Sequence, residues 1–309
     1  MTLLALLKVV LLSAAALSAL FLILSALVCV KLLFFTKNQS YQDSLDILAQ
    51  KGTLYTDIIP TDILERIEIT GVNGTPLIGY FANLFPGSNK TVVLVHGIRA
   101  SHIIGLQYAP LFTAHGYNLL AIDQRAHGLS GGRACSYGYF EKSDLSAWLS
   151  YLRQRLGDNA EFGLMGHSMG AATVLSVAEH RQDIRFIVAD CPFDRLNDFI
   201  LYQLRRLGVF ARPVYALVRL IVRLFLSFDP NSVAPIQTAF GAGRDIPTLF
   251  IHSKGDRIIP YSCAHRMYEA KNNPLDRLYI HVNAAHPDVY AIDKEHYKKQ
   301  LDEFLNGFK

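Results

Sequence analysis

Thr91–Val95 (TVVLV) is an unbroken apolar, β-branched run, and a strand of that kind has to be covered on both faces. Helices alternating with such strands meet that demand, and the chain alternates from here to its end. A helix around Gly105–His115 precedes a strand at Tyr117–Ile122. A helix at Phe140–Arg155, a strand at Glu161–Met165 and a helix at Met169–His180 follow, then a buried run at Ile184–Ala189. Ile246–His252, a helix from about Pro260, the strand Arg277–Val282 and a C-terminal helix complete the series. Upstream, Leu64–Thr70 alternates apolar and polar residues, and Pro76–Ala82 returns after the hairpin signal Asn73-Gly74. A hairpin followed by repeated strand–helix units specifies an α/β fold, with a mostly parallel sheet and helices on both faces. No internal repeat is visible.

The N-terminus follows a different rule. No charged residue occurs from Val9 to Val30, and Lys8 and Lys31 bracket the run. These positions give about 33 Å of helix at roughly 1.5 Å per residue, enough to cross a bilayer core of about 30 Å. A cleaved signal peptide has a shorter apolar region, and Val28 before Cys29 makes a poor lipoprotein-type cleavage site. The expectation is one uncleaved transmembrane anchor in residues 1–35, a linker at 36–60 that reads as a tether or a short amphipathic helix, and a folded domain at 61–309. Lys8 and the α-amine on one side balance Lys31 and Lys37 on the other, so the charge rule assigns no side of the membrane. This run accounts for much of the positive mean hydropathy of +0.22. The net charge of +4 is weak for a nucleic-acid binder. Cys29, Cys135, Cys191 and Cys263 form no CxxC pair and read as free thiols without a metal.

One stretch breaks the alternation. Phe193–Pro235 inserts between two strand–helix units and carries Arg205, Arg206, Arg212, Arg219 and Arg223, with no acidic residue from Phe199 to Phe228. At 100° per residue, Arg212, Arg219 and Arg223 fall within about 40° on a helix, with Leu217, Leu220, Ile221 and Leu224 elsewhere on the wheel. Two central arginines exclude a second membrane span, at about 2.5–3.5 kcal/mol each. A solvated basic face is one reading. A lid touching lipid headgroups or an anionic substrate is the other.

Gly166-His167-Ser168-Met169-Gly170 fits G-x-S-x-G, between a strand and a helix as that motif requires. Glycines suit the tight turn, and the opening helix offers the Met169 N–H and its dipole to a developing oxyanion. A serine hydroxyl needs a base and an orienting acid. On such a sheet they follow in the order acid, then histidine. Asp256 stands in the loop after Pro247–Ile251, and His286 follows Asn283-Ala284-Ala285 after the last strand, both at the sheet edge that carries Ser168. Asp190, at the end of its own strand, is a rival acid, while His281 lies within a strand and reads as structural. His96-Gly97-Ile98 follows Thr91–Val95 and would bring the Ile98 N–H opposite that of Met169 as a second oxyanion donor. His96 reads as a structural hydrogen-bonder. Asp123 and His127 read as a loop pinned by side-chain hydrogen bonds, since no paired metal-ligand spacing occurs.

Together VVLVHG, AIDQRAHGLSGG, GHSMG, HSKGDRIIP and the late His286 resemble the α/β-hydrolase superfamily over roughly residues 60–309, most of all its monoacylglycerol-lipase-like and serine-aminopeptidase-like clan. The resemblance implies Ser168 as nucleophile, His286 as base, Asp256 as its orienter, Ile98 and Met169 as oxyanion donors, and residues 193–235 as a helical cap. It implies no cofactor and no metal. Asn283-Ala284-Ala285 departs from the glycine common before the family's histidine, and HSKGD from its common HGD. The expected activity is hydrolysis of an amphiphilic ester or thioester at a bilayer. An aminopeptidase and a non-catalytic binding protein are the alternatives.

Overall fold

The computed structural model describes residues 2–35, 38–178, 181 and 183–307. Its centre is an eight-stranded sheet in the order β1-β2-β4-β3-β5-β6-β7-β8. The strands are β1 (Glu65–Thr70), β2 (Pro76–Ala82), β3 (Lys90–Val95), β4 (Asn118–Ile122), β5 (Glu161–His167), β6 (Ile184–Asp190), β7 (Thr248–Ser253) and β8 (Arg277–His281). β2 runs antiparallel to β1 and β4, and the remaining pairs are parallel. Asn73 takes φ +59° in the turn between β1 and β2, as the Asn-Gly signal requires.

The two-residue period of each strand sorts its side chains between two cores. Val92, Leu94, Leu119 and Ala121 face one layer. Val93, Val95, Leu120 and Ile122 face the other. On the first layer lie α2 (Tyr41–Gln50), α3 (His102–Gly105), α4 (Ala109–Thr113), α10 (Val289–Ile292) and α11 (Lys294–Asn306). On the second lie α5 (Glu141–Leu156), α6 (Met169–Ala178) and α9 (Ser262–Lys271). The single helix expected at Gly105–His115 is broken into α3, a 3-10 turn and α4. Pro110 in the first turn of α4 has no N–H for the carbonyl of residue 106, so the helix restarts there. The end of the helix expected to reach His180 lies outside the described residues, as does Lys37.

The expected linker is no tether. From residue 38 on it packs against the domain: Ser40 and Asp43 form a reciprocal capping box at the start of α2, and Leu48, Tyr55 and Ile59 are buried in the first core. The domain therefore begins ahead of residue 61. A third apolar cluster lies above the C-terminal sheet edge. It joins Met169 and Phe193 to α7 (Leu196–Gln203), α8 (Ala211–Phe225) and the end of α1 (Leu3–Phe34). Val214, Val218 and Val222, spaced by one turn, form the buried stripe of α8. Ala26, Cys29, Val30 and Phe34 are buried on α1, so the uncharged run is not free over its whole length. The last carbonyls of α1 are satisfied by the domain: Cys135 N–H donates to Phe34 O at 3.1 Å, Tyr137 Oη to Leu33 O at 3.1 Å and Arg99 to Leu32 O at 3.3 Å.

Phe34 is 1% exposed and meets the rings of Tyr137 and Phe228 at 5.6 and 5.9 Å. Phe34→Ala leaves a cavity where α1 joins the domain and is expected to cost about 3–5 kcal/mol. Denaturant unfolding of the detergent-solubilised protein checks this. A change below about 1 kcal/mol would mean that α1 is attached but not integral.

Candidate active site

The site begins at a turn the backbone dislikes. β5 ends at His167 and α6 starts at Met169, leaving Ser168 alone between them with φ +56°. A side-chain-bearing residue in this region costs of order 1–3 kcal/mol and persists only where its surroundings fix it. Here the Ser168 N–H donates to Asp190 O at 2.8 Å, extending the β5–β6 ladder, and Ser168 O accepts the Ala172 N–H at 3.2 Å as the first bond of α6. The flanking glycines are needed for space. A Cβ at Gly166 would stand 2.3 Å from Gly170 O, and one at Gly170 would stand 2.1 Å from Val95 O.

Ser168 Oγ lies 2.8 Å from His286 Nε2, and His286 Nδ1 lies 2.6 Å from Asp256 Oδ2. Asp256 is held from several directions. Its Oδ1 accepts the Ile258 and Ile259 N–H groups at 2.8 and 2.9 Å, and His252 Nε2 stands 3.2 Å from Oδ2. Burial alone would raise this carboxyl, but the hydrogen bonds from His252 and His286 and the His286 charge hold it well below the usual carboxylate range. His252 was not singled out in the sequence, although its i,i+4 spacing to Asp256 in HSKGD was the available signal. The turn carrying His286 is fixed in the same way. Asn283 and Ala284 donate their N–H groups to His281 Nδ1 at 3.2 and 2.9 Å, which agrees with a structural role for His281.

The loop after β3 is pinned by two buried histidines. Gly97 N–H donates to His167 Nε2 at 3.0 Å, and Gly97 O lies 2.6 Å from His96 Nδ1. His96 Nε2 accepts the Gln124 N–H at 3.0 Å, so Nδ1 carries the proton and donates to Gly97 O. Burial pushes both imidazoles down to about 3, so they are neutral and keep these roles at neutral pH. Gly97, whose carbonyl carbon bonds the Ile98 nitrogen, is thus held at both its N–H and its C=O, next to the serine turn. The first amides of α6, Met169 among them, lack intrahelical acceptors. His96 acts as the expected hydrogen-bonder, whereas His167, the variable residue of the motif, is a brace that sequence reading missed.

The remaining candidates sit apart from this chain of bonds. Asp123 accepts the backbone N–H groups of His102 and Leu129 at 2.8 and 2.9 Å, and His127 Nδ1 lies 2.9 Å from Arg125 O, so both serve the loop. Asp190 is fully buried and its Oδ2 accepts the hydroxyls of Tyr108 and Tyr297 at 3.2 and 3.0 Å, while His286 Nδ1 is taken by Asp256. Among the described residues, Cys191, Asp256 and His286 bring possible metal-ligand atoms within 4.8 Å of one another. Burial pushes the Cys191 thiol up, away from the thiolate a metal would need, and the other two are bonded to each other, with His286 also at Ser168.

A cavity of about 400 Å³ adjoins the loop after Asp256, lined by Phe193, Phe199, Tyr202, Ile259, Pro260 and Cys263, with Asp198, Ser262 and Arg266 contributing polar groups. A larger one, about 700 Å³, lies at the opposite sheet edge, beside Glu161, Ile184 and Pro247, far from the serine.

Burial raises the Asp190 carboxyl to about 7, against the opposing pull of the Tyr297 and Tyr108 hydroxyls and the His286 charge. A carboxyl raised above its unfolded value of about 3.9 contributes its full stability below that value and loses it as pH rises toward 7. Asp190→Asn removes this titration. Thermal midpoints from pH 4 to 8 are expected to move in favour of the variant as pH rises. A pH-independent difference would show that Asp190 is ionised throughout.

Residues 90–216 match the model of the alpha/beta hydrolase fold family. An uncharacterized Bacillus subtilis protein, YqkD, is 35% identical over 221 residues, 71% of this chain and 72% of the relative. Escherichia coli YfhR, also uncharacterized, is 24% identical over 253 residues, 78% of this chain and 80% of its own. Among solved structures, an esterase of Pyrococcus furiosus superposes with a TM-score of 0.65 at 25% identity, covering 81% of this chain and 94% of that one. With the eight-stranded sheet, the serine turn and these relatives in agreement, the chain belongs to the α/β-hydrolase family.

Proposed function

We propose that the protein is a membrane-anchored serine hydrolase of carboxylic esters or thioesters with amphiphilic acyl groups. The observation that carries this reading is the continuous bonded series Ser168–His286–Asp256 at 2.8 and 2.6 Å. Ser168 Oγ attacks the acyl carbonyl carbon while its proton passes to His286 Nε2. The carbonyl oxygen becomes an oxyanion, received by the N–H groups of Ile98 and Met169, each worth about 2.7–4 kcal/mol in such sites. Collapse expels the alcohol or thiol, which takes the proton back from His286, and leaves an acyl-serine. Water, giving a proton to His286, then attacks the acyl carbon, and His286 passes that proton to Ser168 Oγ as the acyl–oxygen bond breaks, releasing the acid and the free serine. Asp256 stays ionised throughout, orienting the imidazole and stabilising its charged form.

Residues 1–35 act as the anchor in this reading and 193–235 as the cap above the serine. The substrate class rests on the acids of that insertion. A peptidase that binds a free ammonium group needs unpaired carboxylates near the serine. Asp194 is bonded to Arg266 at 2.7 Å, and Asp229 takes Arg219 in a two-pronged bond at 2.6 and 2.9 Å. Two of the three acids around the insertion are therefore committed to arginine, and the third, Asp198, accepts the Asn197 side-chain amide at 2.9 Å at the cavity wall. The cavity beside Asp256 has mainly aromatic and aliphatic walls, which suit an acyl chain.

A fluorophosphonate probe is expected to label the purified protein, and Ser168→Ala to abolish the labelling. Labelling that survives the substitution would sink the assignment. Asp256→Asn is expected to lower kcat on the order of 10⁴-fold. Medium-chain nitrophenyl esters should turn over faster than aminoacyl anilides, and the reverse order would favour a peptidase.

A further inference from the structure

α1 is longer than a membrane span needs, and the structure divides it. From Leu3 to Phe21 no side chain is buried, whereas from Leu22 onward the helix packs into the third apolar cluster. The free part is 19 residues, or about 28 Å, close to the hydrocarbon thickness of a bilayer. The remainder, about 20 Å, is a stalk that packs one face on the domain through Ala26, Cys29, Val30 and Phe34, while Ile23, Leu24, Leu27, Val28 and Leu32 on its other face stay exposed. At the junction Phe21 meets Phe210 edge to face at 5.5 Å. Phe210 ends the turn before α8, and beside it Val209 is 84% exposed, the most exposed large apolar side chain in the chain among those described. Arg205, Arg206 and Arg212 surround this tip and are exposed.

We infer that the insertion is a bilayer-contacting element. The membrane surface lies at the level of Phe21 and Phe210, with Val209 and Phe210 dipping among the acyl chains and Arg205, Arg206 and Arg212 in the layer of anionic phospholipid headgroups. The inference deepens the anchor reading and rests on it.

The alternative boundary, with all of Val9–Val30 in the bilayer, would draw the tip inward by nine residues of helix, about 13 Å, and sink Arg212 into hydrocarbon. The boundary at Phe21 leaves Lys8 inside the N-terminal end of the span by about 8 Å. Its side chain points toward that end and can reach the headgroups. The charge pattern agrees. No acidic residue occurs from Phe199 to Phe228, and the two arginines farther along α8 are drawn to Asp229, at 2.6 Å for Arg219 and 3.9 Å for Arg223, away from the tip. Phe21 lies by Phe210 and Phe34 by Phe228, so α8 runs parallel to the stalk. Only its first turn touches lipid, and Leu224, also exposed, stands about 20 Å farther out.

The test places an environment-sensitive fluorophore on single added cysteines of the full chain in nanodiscs of phosphatidylcholine and phosphatidylglycerol. The four native cysteines are buried. Leu12→Cys should be quenched by nitroxides deep in the acyl chains, Val209→Cys by nitroxides near the headgroups with a blue-shifted emission, and Leu224→Cys by neither. Replacing Arg205, Arg206 and Arg212 with glutamine should remove any gain in Val209→Cys quenching when phosphatidylglycerol is added to neutral discs. Water-like emission at 209 with quenching at 12 would overturn the inference while leaving the anchor intact. Quenching at 224 equal to that at 209 would overturn the boundary, with α8 lying flat on the lipid. Absence of quenching at 12 would overturn the anchor reading itself. Fluorophosphonate labelling of each variant reports that the domain is folded.

Discussion

The close approach of α6 to β3 sets the terms for the rest of the site. Gly170 stands so near Val95 O that a methyl group would not fit, and this brings the serine turn against the loop that leaves β3. A strained residue at φ +56° is maintained by that contact, by the extension of the β5–β6 ladder through Ser168 N–H and by the first bond of α6. The result is a hydroxyl raised above the sheet edge on a rigid support. Arg99 and Cys191, on the neighbouring loops, also take positive φ, +63° and +49°. Asp256 and His286 arrive on ordinary loops whose amides are tied down by local hydrogen bonds.

Burial then decides which groups carry charge. His96 and His167 are fully enclosed and stay neutral, which lets one donate to Gly97 O and the other accept Gly97 N–H. A charged His167 would have no lone pair for that amide, and the loop would lose its clamp. Asp256 is almost as buried, yet two histidines and two backbone amides favour its ionised form. Asp190 sits one strand away, fully buried with neutral donors, the Tyr108 and Tyr297 hydroxyls, at its Oδ2, and burial drives it the other way. Two carboxyls at the same sheet edge are thus driven apart in protonation by their donors, and the one kept ionised is the one bonded to His286.

Much of this was legible in the sequence because it rests on period and order. The parallel strands read as apolar runs, the hairpin as Asn73-Gly74, and Ser168, Asp256 and His286 as an ordered series at strand ends. What was not legible depends on contacts between residues far apart. The bracing roles of His167 and His252 require knowing that β5 lies beside β3 and how the loop after β7 folds back. Residues 36–60 read as a linker or a short amphipathic helix, and the helix is there as α2, but the packing of Leu48, Tyr55 and Ile59 into the first core depends on contacts far along the chain. The wheel of α8 separated arginines from leucines correctly. It did not show that the valines at 214, 218 and 222 would take the buried face and leave Leu220 and Leu224 outside.

The same long-range contacts change the meaning of the N-terminal helix. Composition presents it as an interchangeable tether. In the fold, its last carbonyls are received by Arg99, Tyr137 and Cys135, and Arg99 directly follows Ile98 in the loop beside the serine. Arg99 itself has φ +63°, and its carbonyl accepts the Gln39 N–H at 2.9 Å, so one residue joins the end of α1, the start of the following segment and the loop after β3. The end of α1 is therefore bonded directly to that loop, with Phe34 buried beside it. The apolar residues Ala26, Cys29, Val30 and Phe34 thus pack in the same cluster as Met169 and Ile98, the neighbours of the candidate nucleophile.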